Sequence, residues 1–227
     1  MNEMGIFMAN VKTKNQERVE YMSSAKNRLK LIAVDLQYDF TRPRGKHYNP
    51  LRESVQFVQD TLVPFLVKKK TRIGEIISDY RQPRPGDEDD SCRPGEWGYK
   101  SEIPEKIVET TWIKCLNSPY FTRQNIGISA KKPSRPIENA TGFYWWLNQY
   151  AGDYTEGSTI VLFGLTLDCC ILCTAQAIRF RGYNVRILTE ATDTYLGGAD
   201  SRSSVMNLVV NNWAKEISFK EIQQILD

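Results

Sequence analysis

Residues 159–180, TIVLFGLTLDCCILCTAQAIRF, decide the fold. Thr159 to Gly164 is an unbroken apolar run, the pattern of a strand buried on both faces. After a short turn the spacing changes: Ile171, Ala175 and Ile178 fall on one helix face, and Gly182 ends the segment. A buried strand followed at once by a helix is the unit from which helix-covered parallel sheets are built. The same alternation recurs in both directions along the chain. Residues 29–36 (LKLIAVDL) read as the first strand and 51–67 as a helix with Val55, Val58, Leu62 and Leu66 on one face. Residues 73–78 are the second strand and 107–115 the third, and 139–150 form an aromatic-rich helix. Downstream come a fifth strand over 183–188, a helix over 201–213, a short strand near Glu216 and Ile217, and a closing amphipathic helix. The predicted class is α/β: three layers, with helices on both faces of a six-stranded parallel sheet.

At 227 residues the chain suits one domain, taken as 29–227, preceded by an arm or docking helix over 1–28. The net charge of +3 is spread among interspersed acids and bases, which argues against a nucleic-acid surface. The densest basic cluster, Lys68-Lys69-Lys70 with Arg72, reads as a solvated helix end. No run approaches the roughly 18 apolar residues of a membrane span, and the charged first 28 residues lack a signal-peptide core. Five cysteines, an odd number with three crowded into 169–173, suit reduced thiols in a cytoplasmic protein. The single histidine, His47, rules out a multi-histidine zinc site within one chain. The base of any hydrolytic reaction is therefore expected to be a carboxylate or a lysine.

Parallel sheets bind ligands outside the carboxyl ends of their strands. Asp35 ends the first strand, Lys114 the third, and Cys170 follows the fourth at the start of a helix. A thiol there feels the helix dipole, and an ammonium nearby favours its thiolate. Asp35 is placed to accept the thiol proton, and backbone N–H groups of the turn to hold an oxyanion. Each residue also has a plainer reading: a buried apolar cysteine, a strand-end carboxylate, a structural salt bridge.

The two ends of this constellation carry a resemblance. Leu31-Ile-Ala-Val-Asp35-Leu-Gln37-Tyr-Asp39-Phe40 resembles the opening signature of the isochorismatase-like cysteine hydrolases, an apolar strand followed by D-x-Q-x-D-F. Val161-Leu-Phe-Gly164-Leu-Thr-Leu-Asp168-Cys-Cys170-Ile resembles their nucleophile signature, with Leu167 standing where Thr is usual. The resemblance implies Cys170 as nucleophile, Asp35 as base and Lys114 as their electrostatic partner. It implies an oxyanion hole of the Thr166 and Cys170 N–H groups and a cis Leu165–Thr166 peptide. It also implies a sheet order of 3-2-1-4-5-6, a dimer or tetramer, and no cofactor. The expected activity is cleavage of a C–N bond in a small amide, carbamoyl or ureide substrate. A metal-free vinyl ether hydrolase and a non-catalytic module on the same fold are the alternatives. Metal-binding nicotinamidases carry Asp-x-His where this chain has Asp79-Tyr80-Arg81, so no metal site is expected. Arg81 and Phe40 are expected to contact substrate, Arg81 through an anionic group. The region holding Arg123, Lys131, Lys132 and Trp145-Trp146 departs from the family and leaves the substrate itself open.

Overall fold

The computed structural model describes residues 28–81, 90–129 and 132–227. The expected arm lies outside them save for Arg28, as do Lys131 and residues 82–89. Among the described residues there are eight strands: β1 (Leu29–Val34), β2 (Ile73–Ser78), β3 (Val108–Lys114), β4 (Phe121–Thr122), β5 (Ile137–Glu138), β6 (Thr159–Leu165), β7 (Asn184–Asp193) and β8 (Lys215–Ile217). Six of them form one parallel sheet in the order β3-β2-β1-β6-β7-β8. The expected order, 3-2-1-4-5-6, needs correcting because it numbers only six strands. β4 and β5 form a separate antiparallel ribbon, Phe121 opposite Glu138 and Thr122 opposite Ile137. With two residues per strand the ribbon has no alternation to read.

The helices are α1 (Tyr38–Thr41), α2 (Glu53–Phe57), α3 (Val63–Lys69), α4 (Ala140–Ala151), α5 (Cys170–Phe180), α6 (Ala199–Asn212) and α7 (Phe219–Leu226). A π turn over Val58–Leu62 joins α2 to α3. Pro64 sits at the start of α3 without an N–H to donate backwards, and the helix widens just before it. Asn139 caps α4 by accepting from Gly142 N–H (3.0 Å), and Ser218 and Glu221 form a capping box on α7.

Because successive residues of a strand point to opposite faces, β1 feeds two cores. Leu31 and Ala33 pack with Val58, Leu62, Leu66, Ile222 and Leu226, from the α2–α3 region and α7. Ile32 and Val34 pack with Phe143, Leu147, Ile171, Ile178 and Val209, from α4, α5 and α6. The sheet is thus covered on both sides, which is why the central strand β6 is an unbroken apolar run after Thr159. At the end of β6, Gly164 has φ +118, and a Cβ there would fall 2.2 Å from Val34 O. Only glycine lets the turn before α5 lie this close to β1. Among the described residues no helix is long and apolar enough to cross a membrane.

Candidate active site

Three strand ends converge on one buried spot. β1 stops at Val34, and Asp35 turns the chain with φ +51 while its N–H donates to Ile76 O at 2.9 Å. Lys114 is the last residue of β3, and Cys170 opens α5 with Cys169 in the cap position. All three are buried, at 1%, 0% and 3% exposure respectively. Lys114 Nζ donates to Asp35 Oδ2 at 2.7 Å and stands 3.4 Å from Cys170 Sγ. Asp35, Lys114 and Cys170 therefore meet at the carboxyl edge of the sheet.

Ser78, Tyr80 and Asn117, none of them singled out by the sequence, complete the cluster. Lys114 Nζ also donates to Ser78 Oγ and to the Tyr80 hydroxyl, each at 2.7 Å. Ser78 Oγ passes its own hydrogen to Asp35 Oδ1 (2.7 Å). The Tyr80 oxygen is 3.5 Å from Cys170 Sγ, and Asn117 Oδ1 is 3.8 Å from it. The opening signature explains how β2 delivers Ser78 and Tyr80. Gln37 acts as a surrogate strand residue, accepting from Ser78 N–H (2.7 Å) and donating to Ser78 O (3.0 Å). Asp39 accepts from Cys92 N–H (2.6 Å), pinning the chain that returns after β2.

Burial works against an ammonium at Lys114, but the charge of Asp35, then Cys170 and Tyr80, outweighs it and holds the lysine well above its ordinary pKa. Cys170 is pushed up, first by a hydrogen bond with Cys169 and then by burial, with Lys114 pulling the other way. Cys169 and burial thus favour the protonated form of Cys170, against the pull of Lys114. The turn before Cys170 contains the cis Leu165–Thr166 peptide. The N–H groups of Cys169 and Ile171 donate to Thr166 O (both 3.0 Å), and that of Leu167 donates to Asp193 O (2.8 Å).

The other expected residues sit differently. Arg81 is buried, and its fork grips Asp79: Nε to Oδ1 and Nη2 to Oδ2, both 2.8 Å. Its Nη2 also donates to Asn125 O (2.8 Å) and its Nη1 to Ile128 O, and Asp79 Oδ2 also accepts from Gly127 N–H (2.9 Å). The fork expected to meet a substrate anion is filled by an acid two residues away. Phe40 is 4% exposed, packed between the His47 ring (5.2 Å, stacked) and the edge of Tyr80 (6.4 Å), so it backs the site instead of lining it. His47 Nε2 is 2.9 Å from Ser91 Oγ. Arg123 is buried with one bond, Nη1 to Ser134 O (3.1 Å), and Trp145 is exposed while Trp146 is buried.

No protein-family model matches the chain, and no curated protein matches it. Solved structures do. A pyrazinamidase/nicotinamidase from Streptococcus mutans superposes with a TM-score of 0.58 at 18% identity, covering 83% of this chain and 99% of that one. An isochorismatase family protein from Desulfovibrio vulgaris gives 0.62 at 16% identity, covering 88% and 98%. The chain has the isochorismatase-like hydrolase fold. A Pyrococcus horikoshii pyrazinamidase of this fold, solved in complex with zinc, gives 0.56 at 16% identity over 85% and 99%. The present residues do not fit such an ion. Among the described residues no three His, Cys, Asp or Glu side chains form a ligand group, and the Asp79 carboxylate already holds a guanidinium. Within this isochorismatase-like frame, the Asp79–Arg81 pair and the Lys114 cluster end neighbouring strands.

Proposed function

We propose that the chain is a cysteine-dependent amidohydrolase that cleaves a C–N bond of a small amide, carbamoyl or ureide substrate through a thioester. The observation carrying this reading is the bridge of Lys114 Nζ between Asp35 Oδ2 and Cys170 Sγ. Asp35 takes the thiol proton, Lys114 stabilises the thiolate so formed by its charge, and Sγ attacks the carbonyl carbon. The carbonyl oxygen becomes an oxyanion held by the Thr166 and Cys170 N–H groups at the head of α5. As the tetrahedral centre collapses, the C–N bond breaks and Asp35 gives the proton to the leaving nitrogen. Water then attacks the thioester, again with Asp35 as base, and releases the acid and the free thiol. Arg81 enters as a strut that fixes the 125–128 loop beside the site. The working unit is proposed to be a homodimer or homotetramer, which light scattering tests.

The test is an ammonia-release screen over small amides, ureides and carbamoyl acids. Wild-type protein is expected to release ammonia from at least one class, and Cys170→Ala to release none while melting near the wild-type temperature. Cys169→Ala and Cys173→Ala keep most activity. Substantial turnover by Cys170→Ala would exclude the thioester.

A further inference from the structure

Cys170 poses a problem that the three-residue scheme does not solve. Its thiol is pushed up by Cys169 and by burial, yet it must give its proton to Asp35 and become a thiolate. Lys114 has three hydrogens, and three oxygens lie at 2.7 Å from its nitrogen: Asp35 Oδ2, Ser78 Oγ and the Tyr80 hydroxyl. Sulfur, at 3.4 Å, is the fourth and most distant neighbour. An ammonium whose hydrogens are already directed elsewhere stabilises a thiolate by charge more than by a hydrogen bond. A second donor is needed at the sulfur.

The geometry points to Tyr80 as that donor and as a further catalytic residue of this site. The inference rests on the thiolate reading above and deepens it. Tyr80 is fully buried, and its oxygen accepts from Lys114, which leaves its own hydrogen for another acceptor. Leu116 O at 3.4 Å and Cys170 Sγ at 3.5 Å both lie within range of it. While Cys170 is a thiol the carbonyl is the better acceptor. Once Asp35 has taken the proton the sulfur carries full charge, and the hydroxyl swings its hydrogen to it. No proton changes owner at Tyr80; the thiol proton goes to Asp35, and only the direction of the O–H bond changes. The same hydroxyl orients Lys114 in the resting state. Ser78 does not share this role, since it accepts from Lys114 and donates to Asp35.

Tyr80→Phe deletes this hydroxyl and keeps the ring that packs edge-on against Phe40. Iodoacetamide labelling is followed against pH, with the labelled cysteine located by tandem mass spectrometry. In Tyr80→Phe the Cys170 labelling midpoint moves up by about one pH unit or more. Turnover on the substrate found in the screen falls about 10- to 100-fold in kcat, the worth of one hydrogen bond to a charged group, with KM changing less. The melting temperature stays close to wild type. If Cys170 is labelled and the two profiles superimpose, Tyr80 only packs, and this inference is overturned while the nucleophile reading stands. If labelling falls on Cys169 or Cys173 and Cys170 stays unlabelled throughout, the nucleophile reading fails and this one with it.

Discussion

Two buried ion pairs stand side by side at the ends of β2 and β3, and they do different things. Lys114–Asp35 and Arg81–Asp79 are both nearly inaccessible to water, and each pairs a cation with a carboxylate at 2.7 or 2.8 Å. They differ in what else the cation touches. Beyond Asp79, Arg81 donates to the backbone carbonyls of Asn125 and Ile128, which have no proton to give up. Lys114 touches a serine hydroxyl, a tyrosine hydroxyl and a thiol, all of which can redirect or lose a hydrogen. A buried ion pair by itself is therefore no sign of catalysis. A buried cation surrounded by groups able to change state is a better one.

The sharpest way to break the comparison is to remove each cation in turn. Lys114→Met and Arg81→Met each leave a buried carboxylate without its partner, a loss of about 3–5 kcal/mol of stability in such cases. Their activities should separate. Lys114→Met loses turnover by on the order of 10²-fold or more even where it remains folded, since the charge facing the thiolate is gone. Asp35→Asn falls by about 10²–10⁴-fold through loss of the base. Arg81→Met keeps most of its turnover per folded molecule at low temperature. Equal catalytic losses in the two methionine variants, corrected for folded fraction by circular dichroism, would erase the distinction.

The same contrast marks where the sequence was legible. Asp35, Lys114 and Cys170 announce themselves because each interrupts or follows a run of apolar residues, and parallel topology sends such ends to one edge. The cores were legible for the same reason: Val58, Leu62 and Leu66 recur at helical spacing and are all buried. Ser78 and Tyr80 were not. β2 is buried on both faces, so its pattern does not say which way the residues at its end will point. Arg81 was visible, but the choice between an internal and a bound carboxylate depends on how the 125–128 loop folds back. Local spacing carries no information on that. The ribbon of β4 and β5 pairs Thr122 with Ile137 across the 14 residues between them, and it too escaped.

A third buried carboxylate sharpens the comparison at a smaller cost. Glu75, in the middle of β2, accepts a hydrogen bond from the Ser101 hydroxyl. Burial, opposed by that hydrogen bond and helped by Asp35, raises its pKa from 4.5 to about 7. The folded protein therefore keeps this proton up to about pH 7, while the unfolded chain releases it near 4.5. Across that window the native state binds more protons, so the contribution is present below 4.5 and lost as pH rises through 7. The loss is on the order of 3 kcal/mol. Urea unfolding at pH 5 and pH 7.5 is expected to show lower stability at the higher pH, and Glu75→Gln to flatten the difference. A slope unchanged by Glu75→Gln would assign the effect to another group.

The smallest expected effect is none at all, and it tests the Arg81 side of the comparison. A metal that oriented substrate would need ligands with open lone pairs facing the site. Both Asp79 oxygens already accept from Arg81, and Oδ2 also accepts from Gly127 N–H. A guanidinium carries fixed positive charge and offers no lone pair, so a second cation beside it would be repelled. His47 lies stacked on Phe40 with Nε2 directed to Ser91. Exhaustive dialysis against EDTA is accordingly expected to leave turnover and the Cys170 alkylation profile unchanged. Activity lost on chelation and restored by zinc, iron or manganese would mean that Arg81 releases Asp79 during the catalytic cycle. The pair would then be a switch and not a strut.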